Sequence, residues 1–163
     1  MMSCAGSDVA IRRGSAEPSA WPQYRVAPFL TEADTLIVSP ALFERAPLHR
    51  PDDIASHVLL GSETRPGDWA DWLERAGLPH RSEQRRRVFD HFFVTLQAVV
   101  DGLGIGIGPL PVLQTDVALG RLLTPFATIL VPRTGYVALV PFDANKTSVL
   151  TNFVDWLVEE GAG

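Results

Sequence analysis

The sequence predicts an α/β fold, because segments with strand character and segments with helical character follow one another along the chain. The clearest unit runs over residues 88–111 and reads as a strand end, a helix, a glycine stop and a second strand. A helix that carries tryptophans near residues 68–77 and a continuous apolar strand at 136–140 indicate the same class. Alternation with short connections predicts a largely parallel sheet.

Turn-forming residues divide the first part of the chain into short strand-like runs. We expect a strand at residues 8–12 that leads into a loop with Gly14, and further strands at 24–30, 35–38 and 58–60. Pro51 fits the first turn of a short helix, where proline is tolerated.

The next segment has the spacing of an amphipathic helix. Trp69, Trp72, Leu73 and Ala76 recur three or four residues apart, and Gly77 follows them. Aromatic residues at this spacing are ordinarily core, so we expect the two tryptophans to anchor the helix on a sheet.

The unit at 88–111 begins where a strand ends at Phe89. Asp90 offers a carboxylate at the position of a helix cap, residues 96–100 show helical spacing, and Gly102 ends the helix. Glycines separate Ile105 from Ile107, which predicts a short strand closely approached by a neighbouring backbone.

Glycine and proline punctuate the last third of the chain. We expect a helix from Pro111 to Gly120 and a strand-like run at 122–123. A polar bend at 132–135, a strand at 136–140 and a final helix with the stripe Val149, Phe153, Trp156 and Leu157 should follow.

Composition limits the compartment and the partners. A length of 163 residues fits one domain, and the net charge of −5 disfavours broad nucleic-acid binding. Arg81 and the arginines at 85–87 fit a solvated turn. Cys4 is the single cysteine, and the sequence shows neither a long apolar run nor a secretion signal, which together predict a cytoplasmic protein without membrane contact.

Cofactor and catalytic motifs are not evident. The glycines at 102–108 follow a helix, whereas a dinucleotide fingerprint needs them after a strand and before a helix. The four histidines lack the spacing of a metal site, and no serine stands in a nucleophile elbow. We therefore expect no cofactor, no metal and no enzymatic activity.

His91 has two interpretations of equal weight. A helix start carries unpaired N–H groups and a dipole that favours an anion, so His91 could help to bind a carboxylate ligand. Alternatively, His91 caps its own turn or faces solvent, while Phe92 or Phe93 enters the core.

The order of these motifs resembles the C-terminal effector-binding domain of LysR-type transcriptional regulators, especially the branch of glycine-cleavage activator-like proteins. The resemblance extends over nearly the whole chain. Its motifs are residues 8–12 with Gly14, 36–40, Trp69 to Trp72, Phe89-Asp90, Gln97-Ala98 with 102–105, 120–122 before Pro125-Phe126, and 136–141 before 153–157.

The resemblance implies a type II periplasmic-binding-protein-like module of two α/β lobes, with a small effector in the cleft between them. Residues 39–136 would be a complete second lobe, whereas 1–38 and 137–163 would be a partial first lobe; the crossovers would be 35–39 and 136–140. We expect an N-terminally truncated chain that lacks the family's winged helix-turn-helix, its linker helix and the first lobe's opening strand and helix.

The resemblance also implies a function, namely the ligand-sensing portion of a LysR-type regulator. A stand-alone solute-binding or protein-interaction module without DNA binding is the alternative. Partners would be a small effector, expected to be an anion, and a second copy or full-length family members, with DNA reached only through the absent domain. Carried over to this sequence, the cleft positions are Arg12, Ser39, Pro40, His91, Phe92, Phe93 and Pro141.

Overall fold

The computed structural model describes residues 9–143 and 148–162, so Cys4 and the predicted strand residue Asp8 lie outside the described residues. The strands are β1 (Ala10–Arg13), β2 (Tyr24–Ile37), β3 (Leu59–Ser62), β4 (Arg86–Phe89), β5 (Gly106–Leu110) and β6 (Val131–Pro141). The α-helices are α1 (Pro40–Arg45), α2 (Asp68–Ala76), α3 (Phe92–Val100), α4 (Gln114–Ala118) and α5 (Ser148–Gly161). Two 3-10 turns cover Pro18–Ala20 and Pro51–Ser56.

The α/β class is confirmed, but the expected largely parallel sheet is wrong. Four strands form a sheet in the order β1-β6-β2-β5, in which β1 runs antiparallel to β6 and β2 antiparallel to β5. Parallel pairing joins β3 to β4 in a separate two-stranded sheet. The alternation of strands and helices along the sequence does not fix direction, because β1 and β2 pair with strands that lie far away in the chain.

The chain divides into two compact units. Unit 1 contains the described residues up to Glu32 and from Arg133 onward, and unit 2 contains Ala33–Pro132. Both boundaries fall inside long strands, β2 and β6. The sequence-based division placed its boundaries further along the chain, at 38/39 and 136/137.

Strand β2 is continuous, where the sequence predicted two runs. The polar residues Glu32 and Asp34 interrupt the apolar pattern, yet both are buried in the strand. Arginines neutralise them: Arg13 Nη2 lies 2.7 Å from a Glu32 carboxylate oxygen, and Arg65 Nη2 lies 2.7 Å from Asp34 Oδ1. Buried carboxylates are tolerated when they are paired, so the strand does not end here.

The expected bend at 132–135 is also wrong, because these residues belong to β6. The backbone of this segment is hydrogen-bonded to the end of β1 and to the residue after it: Gly14 N donates to Gly135 O over 3.0 Å, and the side-chain Nε of Arg13 donates to Thr134 O over 3.1 Å. Pairing across the sheet overrides the local turn chemistry of proline and glycine.

In unit 2, the predicted role of the α2 tryptophans is confirmed. Trp69 Nε1 donates to Leu60 O in β3 over 2.8 Å, and Trp72 is fully buried in the core. Gly77 ends the helix with φ of 70°, a conformation that suits glycine. The hydrogen bond and the buried rings fix α2 against β3.

The glycine-separated segment before and within β5 is packed as expected. A Cβ at Gly104 would lie 2.5 Å from Val58 O, so a neighbouring backbone does approach closely. Other details differ: Leu123 makes only an isolated bridge with Val38, and the helix predicted from Pro111 to Gly120 is limited to α4.

In unit 1, the apolar stripe of α5 is mostly exposed. None of its residues is buried, and Val149, Phe153 and Trp156 are all exposed. The rings of Phe153 and Trp156 stack with centroids 6.1 Å apart. Strand β6 supplies the buried apolar residues of this unit, Val137 to Val140.

Candidate functional site

The candidate site lies where two parallel strands of unit 2 end together. In the β3–β4 register Leu59 is opposite Arg86 and Ser62 is opposite Phe89. The backbone hydrogen bond from Glu63 N to Phe89 O, 2.9 Å long, holds the two strand ends together. Ligands of α/β proteins bind preferentially beyond the carboxyl ends of parallel strands, and helix α3 begins at this edge.

The start of α3 carries no side-chain cap. His91 is the cap residue, with φ of −131° and ψ of 148°, and its side chain makes no capping hydrogen bond. The predicted cap Asp90 is therefore wrong, because it lies one residue before the cap and is exposed. The interpretation in which the His91 side chain caps its own turn is also wrong, because that side chain makes no capping hydrogen bond.

The first N–H groups of α3 point out of the helix. The amides of Val94 and Thr95 both donate to His91 O over 3.2 Å. The amides of Phe92 and Phe93 precede them and have no acceptor within the helix, because a helix leaves its first N–H groups unpaired. Together with the helix dipole, they make this end favourable for negative charge.

The hydroxyl of Thr95 fixes α3 to the sheet. Thr95 is buried, and its Oγ1 donates to Gly61 O in β3 over 2.9 Å. This bond sets the depth of the first helical turn against the end of β3. The position of the free N–H groups is thus determined by the sheet and not by a capping side chain.

The two phenylalanines at the helix start have different environments. Phe92 is half-buried and packs against the core cluster around Val99, whereas Phe93 is 77% exposed. Their ring centroids are 5.9 Å apart. Phe92 is therefore the residue that packs against the core, and Phe93 presents an apolar face to solvent beside the helix start.

Arg65 is a residue at this edge that the sequence analysis missed. Its guanidinium lies 2.7 Å from both Asp34 Oδ1 and Asp68 Oδ2, and its Cζ lies 5.0 Å from the Phe92 ring centroid. Burial, the largest effect, lowers the pKa of Arg65, but hydrogen bonding and charge from Asp68 and Asp34 outweigh it and raise the pKa above its usual value. Asp34, close before the apolar run at 36–38, was a sequence signal, because a buried carboxylate needs a partner.

The hydroxyl of Ser39 caps helix α1. Ser39 is buried, and its Oγ accepts a hydrogen bond from Leu42 N over 3.2 Å, while Pro40 fills the first helical position. This pair belongs to unit 2, as do His91, Phe92 and Phe93. The Ser39 hydroxyl thus has an evident structural role.

Arg12 and Pro141 belong to unit 1. Arg12 is exposed in β1 opposite Val137, and its Nη1 donates to Ile11 O over 2.8 Å. Pro141 ends β6 and is half-buried. The structure thus brings His91, Phe92 and Phe93 together at one edge and places Arg12 and Pro141 in the other unit.

Two other kinds of site are absent from the described residues. Over residues 9–143 and 148–162, no cluster of three or more His, Cys, Asp or Glu side chains could hold a metal ion. No helix within the same ranges is long and apolar enough to cross a membrane.

Comparison with known proteins places the chain in a family. A family model described as the LysR substrate binding domain matches residues 4–162. The chain is 30% identical over 156 residues to the glycine cleavage system transcriptional activator of Escherichia coli K12, covering 95% of this chain and 50% of that protein. It is 32% identical over 159 residues to the transcriptional activator AmpR of Pseudomonas aeruginosa, covering 96% and 51%. The chain spans about half the length of these curated relatives.

Solved structures show the same fold. The effector domain of AmpR from Pseudomonas aeruginosa superposes with a TM-score of 0.67 at 29% identity, covering 95% of this chain and 72% of that chain. The AmpR effector binding domain from Citrobacter freundii gives a TM-score of 0.68 at 24% identity, covering 95% and 74%.

These findings confirm the resemblance to LysR-type effector-binding domains, including the glycine-cleavage activator branch, and the type II periplasmic-binding-protein-like fold. They support an effector-binding domain over a stand-alone solute-binding or interaction module. The relatives named above are transcriptional regulators and not enzymes. The chain belongs to the LysR substrate-binding domain family.

Proposed function

We propose that this chain senses a small anionic effector for a LysR-type transcriptional regulator, and that the anion binds at the start of α3. The observation that carries the proposal is the uncapped first turn of α3, which opens at the shared carboxyl edge of β3 and β4. Free backbone N–H groups and the helix dipole favour an anion there.

Neighbouring side chains suit the rest of such a ligand. Phe92 and Phe93 offer an apolar surface beside the N–H groups, and the exposed His91 ring stands at the cap position. Arg65 lies against the Phe92 ring at the same edge, where Asp34 and Asp68 compensate its charge. Small-molecule sites commonly combine an apolar wall with a few polar groups that fix orientation.

The regulatory role and its setting belong to the same proposal. The curated relatives are described as transcriptional activators, and a chain with a net charge of −5 has no broad electrostatic affinity for DNA. DNA contact would therefore be made by a helix-turn-helix domain outside these residues. A cytoplasmic location, non-enzymatic action and association with a second copy or with full-length family members complete the proposal.

The effector class can be tested by thermal shift. Purified chain is screened against amino acids and small aromatic acids, each compared with its amide or ester. A ligand at 100 times its Kd stabilises the native state by about 2.7 kcal/mol. We expect carboxylates to raise the melting temperature and their uncharged counterparts to have little effect; equal shifts would contradict an anion site.

The location can be tested by changing the cap residue. His91→Asp supplies a carboxylate that accepts from Phe93 or Val94 N, which should stabilise the chain by about 0.5–2 kcal/mol relative to His91→Ala. The same carboxylate occupies the N–H groups and repels an anion, so effector affinity should fall well below that of His91→Ala. If both variants bind alike, the anion does not sit at the start of α3.

The roles of His91 and Arg12 are separated by titration calorimetry. Loss of affinity in His91→Ala would show that the His91 ring contributes to binding, and unchanged affinity would remove it from the site. For Arg12, a paired hydrogen bond to a carboxylate predicts that Arg12→Lys weakens binding less than Arg12→Ala. Unchanged affinity in both Arg12 variants would remove Arg12 from the site. For Ser39, Pro40 and Pro141, contact with the effector stays a prediction.

A further inference from the structure

A second concave surface in unit 2 lies between β4 and the start of α2. We call it the β4 groove; its volume is about 320 Å³, and it is lined by Gly61, Glu63, Trp69, Arg86 and Val88 among others. Small-molecule pockets commonly span about 300–1,000 Å³, so the groove can hold a small ligand.

The groove exists because residue 61 has no side chain. A Cβ built at Gly61 would lie 3.9 Å from Trp69 Cδ1 and 3.9 Å from Val88 Cγ2, so the glycine forms the floor between two apolar walls. The Trp69 wall is fixed by its hydrogen bond to Leu60 O, and Val88 is 63% exposed. The fixed Trp69 ring and the exposed Val88 side chain therefore lie on either side of the Gly61 backbone.

The charge at one end of the groove is uncompensated. Alternation along β4 puts the side chains of Arg86 and Val88 on the face of Gly61, and Arg87 also lines the groove. Within the described residues, the Arg86 side chain makes no hydrogen bond or ion pair, whereas Arg65 is neutralised by Asp34 and Asp68. Glu63 follows the far end of β3, so positive and negative ends are separated along the groove.

We propose that the β4 groove binds a small carboxylate with an apolar body. The carboxylate pairs with the Arg86 guanidinium, and the body lies over Gly61 between Trp69 and Val88. The Glu63 carboxylate repels a negative group at the other end and so fixes the direction of the ligand. The groove shares Arg65 with the edge at the start of α3, but the contacts proposed for its ligand, Arg86, Trp69 and Val88, do not include that helix start.

The test uses hexanoate, hexan-1-ol and hexylamine as probes that share an apolar chain and differ in charge. In amide-resolved NMR titrations of the full chain, hexanoate should perturb Gly61, Val88 and the Trp69 indole, with hexanol and hexylamine weaker by about tenfold or more. Equal binding of the alcohol, or perturbations confined to the first amides of α3, would overturn the proposal.

Variants provide matched controls. Arg86→Gln and Arg75→Gln remove the same charge, but Arg75 is exposed on α2 outside the groove lining, so only Arg86→Gln should weaken hexanoate, by about tenfold. Equal losses of hexanoate affinity in the two variants would show a general effect of net charge and contradict binding in the β4 groove. Gly61→Val fills the floor and should remove the perturbations of Val88 and the Trp69 indole; perturbations that persist in this variant would show that hexanoate does not bind over residue 61.

Discussion

Replacing Gly104 with alanine tests the close backbone approach in unit 2. The new Cβ would lie 2.5 Å from Val58 O and 2.8 Å from Leu60 Cγ, about 0.9 Å short of an ordinary 3.4 Å contact with the carbonyl. Val58 O is not free to retreat, because it accepts from Ile105 N over 3.0 Å. A second bond, from Leu60 N to Ile105 O at 2.8 Å, joins the same segments.

The magnitude follows from these contacts. Moving the segments apart by about 0.9 Å would lengthen both hydrogen bonds beyond useful range, at about 1 kcal/mol each. Overpacking destabilises the folded state by a further amount of about 1–3 kcal/mol. Alanine has less conformational freedom than glycine in the unfolded chain, which offsets about 0.4–1 kcal/mol of this loss of stability. We expect Gly104→Ala to lower the free energy of unfolding by about 2–5 kcal/mol.

Gly61→Ala is the matched control, because its Cβ would have no neighbour closer than 3.9 Å. It should be neutral or stabilising by up to about 1 kcal/mol. Urea unfolding followed by tryptophan fluorescence measures both, since the buried Trp72 reports on unit 2. A Gly104→Ala stability within about 0.5 kcal/mol of wild type, at unchanged m value, would refute the packing argument.

Three further predictions concern stability. Trp72→Ala should cost about 3–5 kcal/mol in urea unfolding because the ring is fully buried, whereas Val88→Ala should change stability by less than about 0.5 kcal/mol. Arg65→Met should cost about 3 kcal/mol, more than Asp34→Asn, because it leaves a fully buried carboxylate without this cation; the reverse order would contradict the ion-pair assignment. Hydrogen bonds from the backbone of Arg50 and then of His49 lower the pKa of Asp53, so its carboxylate stabilises the fold above about pH 4 and loses that effect as the pH falls through the lowered pKa. The stability difference between wild type and Asp53→Asn should therefore shrink on acidification, and a difference that grows would show the wrong sign.

Local chemistry in the sequence determined several elements correctly. The tryptophan spacing and Gly77 defined α2, and Gly102, with φ of 79°, lies just beyond α3. The glycines around Ile105 indicated a tight backbone contact that Gly104 makes. These features depend on a few neighbouring residues and on helical or strand periodicity, so they can be predicted without knowledge of the tertiary structure.

The candidate site was determined only in part. The sequence indicated a helix start near His91 with two phenylalanines beside it, because a strand and a helical pattern meet there. It named the wrong cap, Asp90, since the end of β4 and the start of α3 are set by the register with β3. It missed Arg65, whose position depends on Asp34, 31 residues away in β2.

Tertiary structure alone decided the pairing of strands and the fate of polar residues within them. The continuity of β2 depends on Arg13 and Arg65, which neutralise Glu32 and Asp34 after the chain has folded. The segment at 132–135 became strand because β6 pairs across the sheet, and antiparallel partners were supplied by distant β1 and β5. The sequence by itself determined the periodic elements and the family, whereas strand direction and charge compensation were decided by contacts between residues far apart in the chain, which local patterns do not encode.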